Sequence, residues 1–126
     1  FVTGDADVFA ELVSPDVVNY ELQPIEGTSD FETWSMSIAM LNGAASDLAV
    51  EIIDVIAEDD KVVVHAVMTG THDGELMGIP ATGNDVYVPF FDLFRIEDGM
   101  IVEHWAVNDT AAFFTQFGLI PMPEME

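Results

Sequence analysis

Asp98-Gly99 stands between two β-rich runs, Val86–Ile96 and Met100–Asn108, and constrains this chain more than any other dipeptide in it. The tightest hairpin turns need positive φ at both central residues, which Asp and Gly tolerate, so the two runs are expected to pair antiparallel. The turn also implies a register: Glu97 opposite Met100, Phe94 opposite Glu103, Asp92 opposite Trp105, and Phe90 opposite Val107. Side chains alternate across a strand, so Phe90, Asp92, Trp105, Val107 and Asp109 are expected on one face. An acid, an indole and apolar side chains together suit the wall of a cavity for a flat, hydrophobic ligand. An inward carboxylate at Asp92 needs a partner or a function. The other face would carry Phe91, Leu93, Val102, His104 and Ala106. That is too apolar for a wetted sheet face, and a second copy of the chain is expected to cover it, giving a homodimer.

The rest of the chain supplies three more strands and three helices. Asp5–Val13 sets Val8, Phe9, Leu12 and Val13 at helical spacing; Ser14-Pro15-Asp16 is expected to end that helix before a short strand over Val17–Leu22. After a loop at Pro24–Gly27, Thr28, Ser29 and Asp30 offer N-caps to a helix with Phe31, Trp34, Ile38 and Leu41 along one stripe. Asn42-Gly43 is expected to stop it. Leu48–Ala57 and Val62–Thr71 are strand-like runs joined by the acidic turn Glu58-Asp59-Asp60. A Gly- and Pro-containing stretch, Gly74–Gly83, leads to the hairpin, and Asp109–Phe117 reads as a last helix closed by Gly118 and Pro121. With 126 residues and no repeat or linker, residues 1–126 make one domain. The order is α+β, with helices covering one face of a curved antiparallel sheet.

Half of the residues are hydrophobic, enough for a core, yet 24 acids face only Lys61 and Arg95, a net charge of −22. Two bases cannot build a phosphate-tracking surface, so nucleic acid and anionic membranes are excluded as partners. No run approaches the ~18 apolar residues of a membrane-spanning helix. Without cysteine there are no disulfides, no thiol catalysis and no Cys-based zinc site. GxSxG and GxGxxG are absent, and Gly78–Gly83 lacks the lysine of a P-loop. His72, Asp73 and Glu75 form a weak metal set, one histidine beside two surface-type acids, so neither metal nor cofactor is expected. His65, between Val64 and Ala66, reads as structural. Residues 1–20 lack a basic region followed by an apolar run, so no signal peptide is visible. So acidic a surface repels itself and suits concentrated salt, which points to the cytoplasm of a halophile; the plainer alternative is an ordinary acidic protein with a basic partner.

Three motifs carry a family resemblance. "TGTHDGELMGIPATG", from Thr69 to Gly83, resembles the signature of SnoaL-like polyketide cyclases (ester cyclases). So do "FDLFRIEDGMIVEHWAVND", ending at Asp109, and "FFTQFG", from Phe113 to Gly118; "TGDADVFAELVSPDVVNY" at the start matches more loosely. The resemblance covers nearly the whole chain and extends to the nuclear-transport-factor-2-like superfamily. It implies a cone-shaped barrel, a curved sheet wrapped around helices, with a pocket between the helices and the concave face. Members usually have more first helix, so it also implies a start upstream of Phe1. The chemistry implied is a metal- and cofactor-free intramolecular aldol condensation, with one aspartate as acid and base at the start of the last helix. Asp109 is the matching position.

Asp109 also reads as a plain N-cap before Thr-Ala-Ala, and both roles stay open. Asn19 and Tyr20, at the end of the short strand, either line the pocket, with the amide holding a substrate carbonyl, or cap a loop. Trp34 belongs to the core stripe or reaches the pocket wall, and Trp105 is equally open between core and pocket. His72 orients a substrate oxygen or stabilises its own loop. The expected ligand is a small hydrophobic carbonyl compound, transformed by acid–base chemistry of the aldol-cyclisation or isomerisation type; a non-catalytic ligand-binding or dimerisation module is the alternative. The charge makes its own prediction. The Debye length shrinks from about 8 Å at 0.15 M to about 3 Å at 1 M, so the melting temperature is expected to climb through a salt series into the molar range. A flat or falling Tm in thermal melts contradicts this.

Overall fold

Four long strands in sequence order form an antiparallel meander, and a fifth from near the start of the chain joins it at the far edge. In the computed structural model, which describes residues 6–21 and 26–119, the elements are α1 (Ala6–Leu12), β1 (Val13–Asn19), α2 (Asp30–Ala44), β2 (Ala49–Glu58), β3 (Lys61–Thr71), β4 (Asp85–Glu97), β5 (Met100–Asn108) and α3 (Thr110–Gln116). The sheet order is β1-β5-β4-β3-β2, with β1 parallel to β5. This is the expected α+β cone with one correction, that β1 makes the sheet mixed rather than antiparallel; the sheet stays open between its edge strands. Among the described residues no helix is long and apolar enough to cross a membrane.

Some element boundaries move. Ser14-Pro15-Asp16 does not end a helix in a turn; it lies inside β1. Proline donates no ladder hydrogen bond, so an edge strand tolerates it, and the β1–β5 register is irregular between Val13 and Val18. β1 ends at Asn19, and the expected strand end at Leu22 and the loop start at Pro24 lie outside the described residues, as does Pro121. α2 runs through Asn42-Gly43 to Ala44, because the N–H groups of Asp73 and Gly74 donate to the Ala44 carbonyl at 3.1 and 2.9 Å. Gly74 permits this contact: a Cβ there would sit 2.1 Å from the Gly43 carbonyl oxygen. At its other end α2 is capped by Ser29, whose hydroxyl accepts from Glu32 N–H at 3.2 Å.

The hairpin turn forms as expected, with φ of +53° at Asp98 and +77° at Gly99, and with Glu97 opposite Met100. Beyond it the register departs from the expectation. Ile96 pairs with Ile101 but Arg95 with Glu103, so Val102 is an extra residue in β5. Phe94 therefore faces His104, Asp92 faces Ala106, and Phe90 faces Asn108. The reason is burial: Ile101 and His104, 8% and 3% exposed, both turn inward although their spacing is odd, which a regular strand cannot accommodate. The bulge puts His104 and Ala106 on the helix-covered face and sends Trp105 and Val107 to the outer one, the reverse of the expected assignment.

Two apolar clusters hold the helices on the sheet. Phe9, Trp34, Ile38, Phe94 and Ile101 belong to one; Leu48, Leu76, Val86, Val88 and Phe117 belong to the other, with Phe90 packed against it. Asp92 lies between Phe90 and Phe94 on the same face of β4, a carboxylate set between the two cores. α3 starts at Asp109, whose Oδ1 accepts from Ala112 N–H at 3.0 Å while the residue is exposed. Asp109→Asn is therefore expected to leave stability unchanged, and Asp109→Ala to cost about 1 kcal/mol in denaturant melts; equal losses in both variants would contradict a simple cap.

Candidate active site

Three strands bring the site together. The β1–β5 register sets Asn19 beside His104, and the bulge turns His104 toward Asp92 on β4. His104 Nε2 lies 3.0 Å from Asp92 Oδ1, and its Nδ1 lies 3.0 Å from Asn19 Oδ1. The ring stacks on Trp34 of α2, centroids 4.2 Å apart, and on Phe94, 5.1 Å apart. Asn19 is itself held: its N–H donates to Asp30 Oδ2 at 2.9 Å, and its Oδ1 accepts from Glu21 N–H at 3.0 Å. That second bond orients the amide, so its oxygen faces the imidazole. Both ring nitrogens of His104 thus face oxygen atoms, one from an amide and one from a carboxylate.

Directly opposite Asp92 stands Ala106, Val64 flanks the other side, and the Asp92 side chain keeps 20% of its exposure. Asn19 Nδ2 is buried with no hydrogen-bond partner among the described residues, and a buried donor left unpaired is costly unless something occupies it. Glu21 is exposed as a residue, but its carboxyl is crowded by protein at the edge of the pair. Burial pushes its pKa up and the Asp92 charge adds to this, while His104 opposes it.

Ligand atoms of Glu21, Asp92 and His104 lie within 4.8 Å of one another, a spacing that one divalent ion accepts. One imidazole and two carboxylates would suit a zinc- or manganese-like ion. Both ring nitrogens of His104 are, however, engaged by Asn19 and Asp92, and we describe the set as a hydrogen-bonded pair with a flanking carboxyl. The His72, Asp73 and Glu75 set does not assemble. His72 Nδ1 is 2.9 Å from Thr82 Oγ1, and Asp73 accepts from the backbone N–H and the hydroxyl of Ser46.

Of the residues singled out in the sequence, Asn19, Trp34 and Asp92 come together, and Phe90 lines the same face two residues from Asp92. Tyr20 does not: it points outward, stacks on Trp105 at 4.8 Å and donates to Glu103 at 2.8 Å. Trp105 and Val107 are on the outer face with it, Val107 being 74% exposed. His72 is buried in the other core, against Phe117, and stabilises its own loop. Asp109 caps α3 at the end of β5. His104, Ala106 and Glu21 were missed. The odd spacing of Ile101 and His104 was the only signal for the bulge, and nothing in the local sequence marks Glu21.

Comparison with known proteins agrees with this architecture. The family model for SnoaL-like polyketide cyclases matches residues 1–117. A candidate SnoaL-like polyketide cyclase from Jannaschia sp. CCS1 is 31% identical over 96% of this chain and 85% of its own, with a TM-score of 0.78. IdmH, a candidate polyketide cyclase from Streptomyces antibioticus, is 31% identical over 92% of this chain and 88% of its own, TM-score 0.77. AclR, a candidate hydroxylase from Streptomyces galilaeus, is 30% identical over 89% of this chain and 69% of its own, TM-score 0.74. No curated protein matches.

Proposed function

The chain belongs to the SnoaL-like polyketide cyclase family, and from that premise we propose that it acts on a small hydrophobic β-dicarbonyl compound by acid–base chemistry of the aldol-cyclisation type, with Asp92 as the base. The observation that carries this reading is the Asp92–His104 pair on the helix-covered face, with the Asp92 side chain still 20% exposed. A carbon-bound proton between two carbonyls is acidic enough for a positioned carboxylate to remove. His104 is a positioning residue: it holds Asp92 Oδ1, which leaves the second oxygen for the substrate. The unpaired Nδ2–H of Asn19 is available to a substrate oxygen, where it would stabilise the developing enolate. Trp34, Phe90 and Val64 supply an apolar wall. The reading requires no cofactor.

Asp109 is the competing position, since the family motif falls on it, and two variants separate the possibilities. Exchange of the acidic carbon-bound proton of a phenyl-substituted β-diketone for deuterium, followed by NMR, reports the base step alone. Asp92→Asn is expected to lower the catalysed exchange by about 10²–10⁴-fold, and Asp109→Asn to leave it unchanged. Full exchange in Asp92→Asn with its loss in Asp109→Asn would move the chemistry to Asp109.

We infer also that a second copy covers the outer sheet face. Phe91, 50% exposed, stands there with Leu93, Trp105 and Val107, a larger apolar patch than a wetted face normally carries. The expected Val102, His104 and Ala106 are replaced in this patch by Trp105 and Val107 because of the bulge. Phe91→Asp is expected to halve the mass seen by light scattering at high salt; an unchanged mass with intact fold contradicts this interface.

A further inference from the structure

We propose that Glu21 is the general acid of this site, delivering a proton to the oxygen of the newly formed alkoxide while Asp92 takes the carbon-bound one. The proposal rests on the reading of Asp92 as base and adds a second, separate residue to it. The carboxyl of Glu21 lies within 4.8 Å of both the Asp92 carboxylate and the His104 ring nitrogen. Its backbone is tied to the pair, because Glu21 N–H donates to the same Asn19 oxygen that His104 Nδ1 meets. Asn19 in turn hangs on Asp30 at the start of α2.

The two carboxyls are placed in different environments. Asp92 has a hydrogen-bond partner in His104 at 3.0 Å. Glu21 has no such partner among the described residues, and burial with the neighbouring Asp92 charge raises its pKa against the opposing His104. Two carboxyls in such different surroundings can divide the roles of base and acid. In the reaction, Asp92 removes the proton and the C–H electron pair becomes the enolate. The enolate carbon forms a C–C bond to a second carbonyl carbon, whose C=O π pair moves onto oxygen. That oxygen takes the proton of Glu21. Asp92 ends protonated and Glu21 ionised, and transfer of one proton from Asp92 to Glu21 through water restores both, with no net gain or loss.

The test uses an open-chain keto-ester bearing a second ketone, spaced so that the carbon between its keto and ester groups can close a six-membered ring. Deuterium exchange at that carbon reports Asp92, and ring closure reports both residues. Glu21→Gln keeps size and the backbone bond; it is expected to leave exchange unchanged and to slow ring closure by about 10²-fold or more. Wild-type ring closure is expected to fall as pH rises through the elevated Glu21 pKa, because the proton donor is then lost, and this alkaline fall is expected to vanish in Glu21→Gln. The groups facing Glu21 that could distort this limb are Asp92 from β4 and His104 from β5, so each is checked by its own variant. Ring closure at the wild-type rate in Glu21→Gln, with exchange intact, overturns the acid assignment alone. Loss of exchange in Glu21→Gln also overturns it, since the residue would then serve the base step. Absence of exchange in the wild-type protein overturns the base reading and this one with it. Activity that disappears with a chelator and returns with zinc reassigns the three groups to an ion and overturns the acid role.

Discussion

The burial of His104 is the constraint on which the rest of the site depends. A histidine at 3% exposure needs a partner for each ring nitrogen, and the fold provides them from two different strands, Asn19 of β1 and Asp92 of β4. Meeting both requires the parallel addition of β1 to β5, the inward turn of Asp92, and the bulge at Val102. It also draws α2 onto the sheet, since Trp34 stacks on the ring and Asp30 accepts from the Asn19 backbone. A single polar side chain thus ties an edge strand, a hairpin and a helix into one geometry. Removing any partner would leave a buried donor or charge uncompensated, which costs more than the bond itself contributes.

Charge is distributed with the same economy. Lys61 and Arg95 are cross-strand neighbours on the outer face, and Arg95 is taken up by Glu103, Glu97 and Asp60. The Arg95 guanidinium and then the Tyr20 hydroxyl hold the Glu103 carboxyl below the usual range. Lysine and arginine thus lie on the outer face, and the basic side chain beside Asp92 is His104. His104 bonds Asp92 directly and Glu21 stands at the margin, so two carboxyls a few ångströms apart have different surroundings.

The family signature also divides by role. Most of the run from Thr69 to Gly83 supports structure: Asp73 and Gly74 close α2, His72 binds Thr82, and Asp47 accepts from Thr71 at 2.8 Å. The hairpin motif holds the proposed site, with Asp92 and His104 on its two strands. A shared motif therefore identified the fold without identifying which of its polar residues act.

Much of the fold was legible because its signals are local. Asp98-Gly99 demanded a tight turn whatever surrounded it, the Trp34 and Ile38 spacing required a buried helix face, and Ser29 supplied a cap. Asp92 was legible as a carboxylate on an apolar face, which asks for a partner. The partner itself was not. Period-two alternation assumes a regular strand, and one extra residue at Val102 exchanges the faces of everything beyond it, so Trp105 and Val107 were expected inside and His104 outside. The pairing of β1 with β5, the contact of Asn19 with His104 and the approach of Glu21 to Asp92 join residues far apart in the chain. By itself the sequence determined the elements, the turn, the charge and the family. The tertiary structure decided which face each side chain joined, because the need to bury Ile101 and His104 together outweighed the regular ladder.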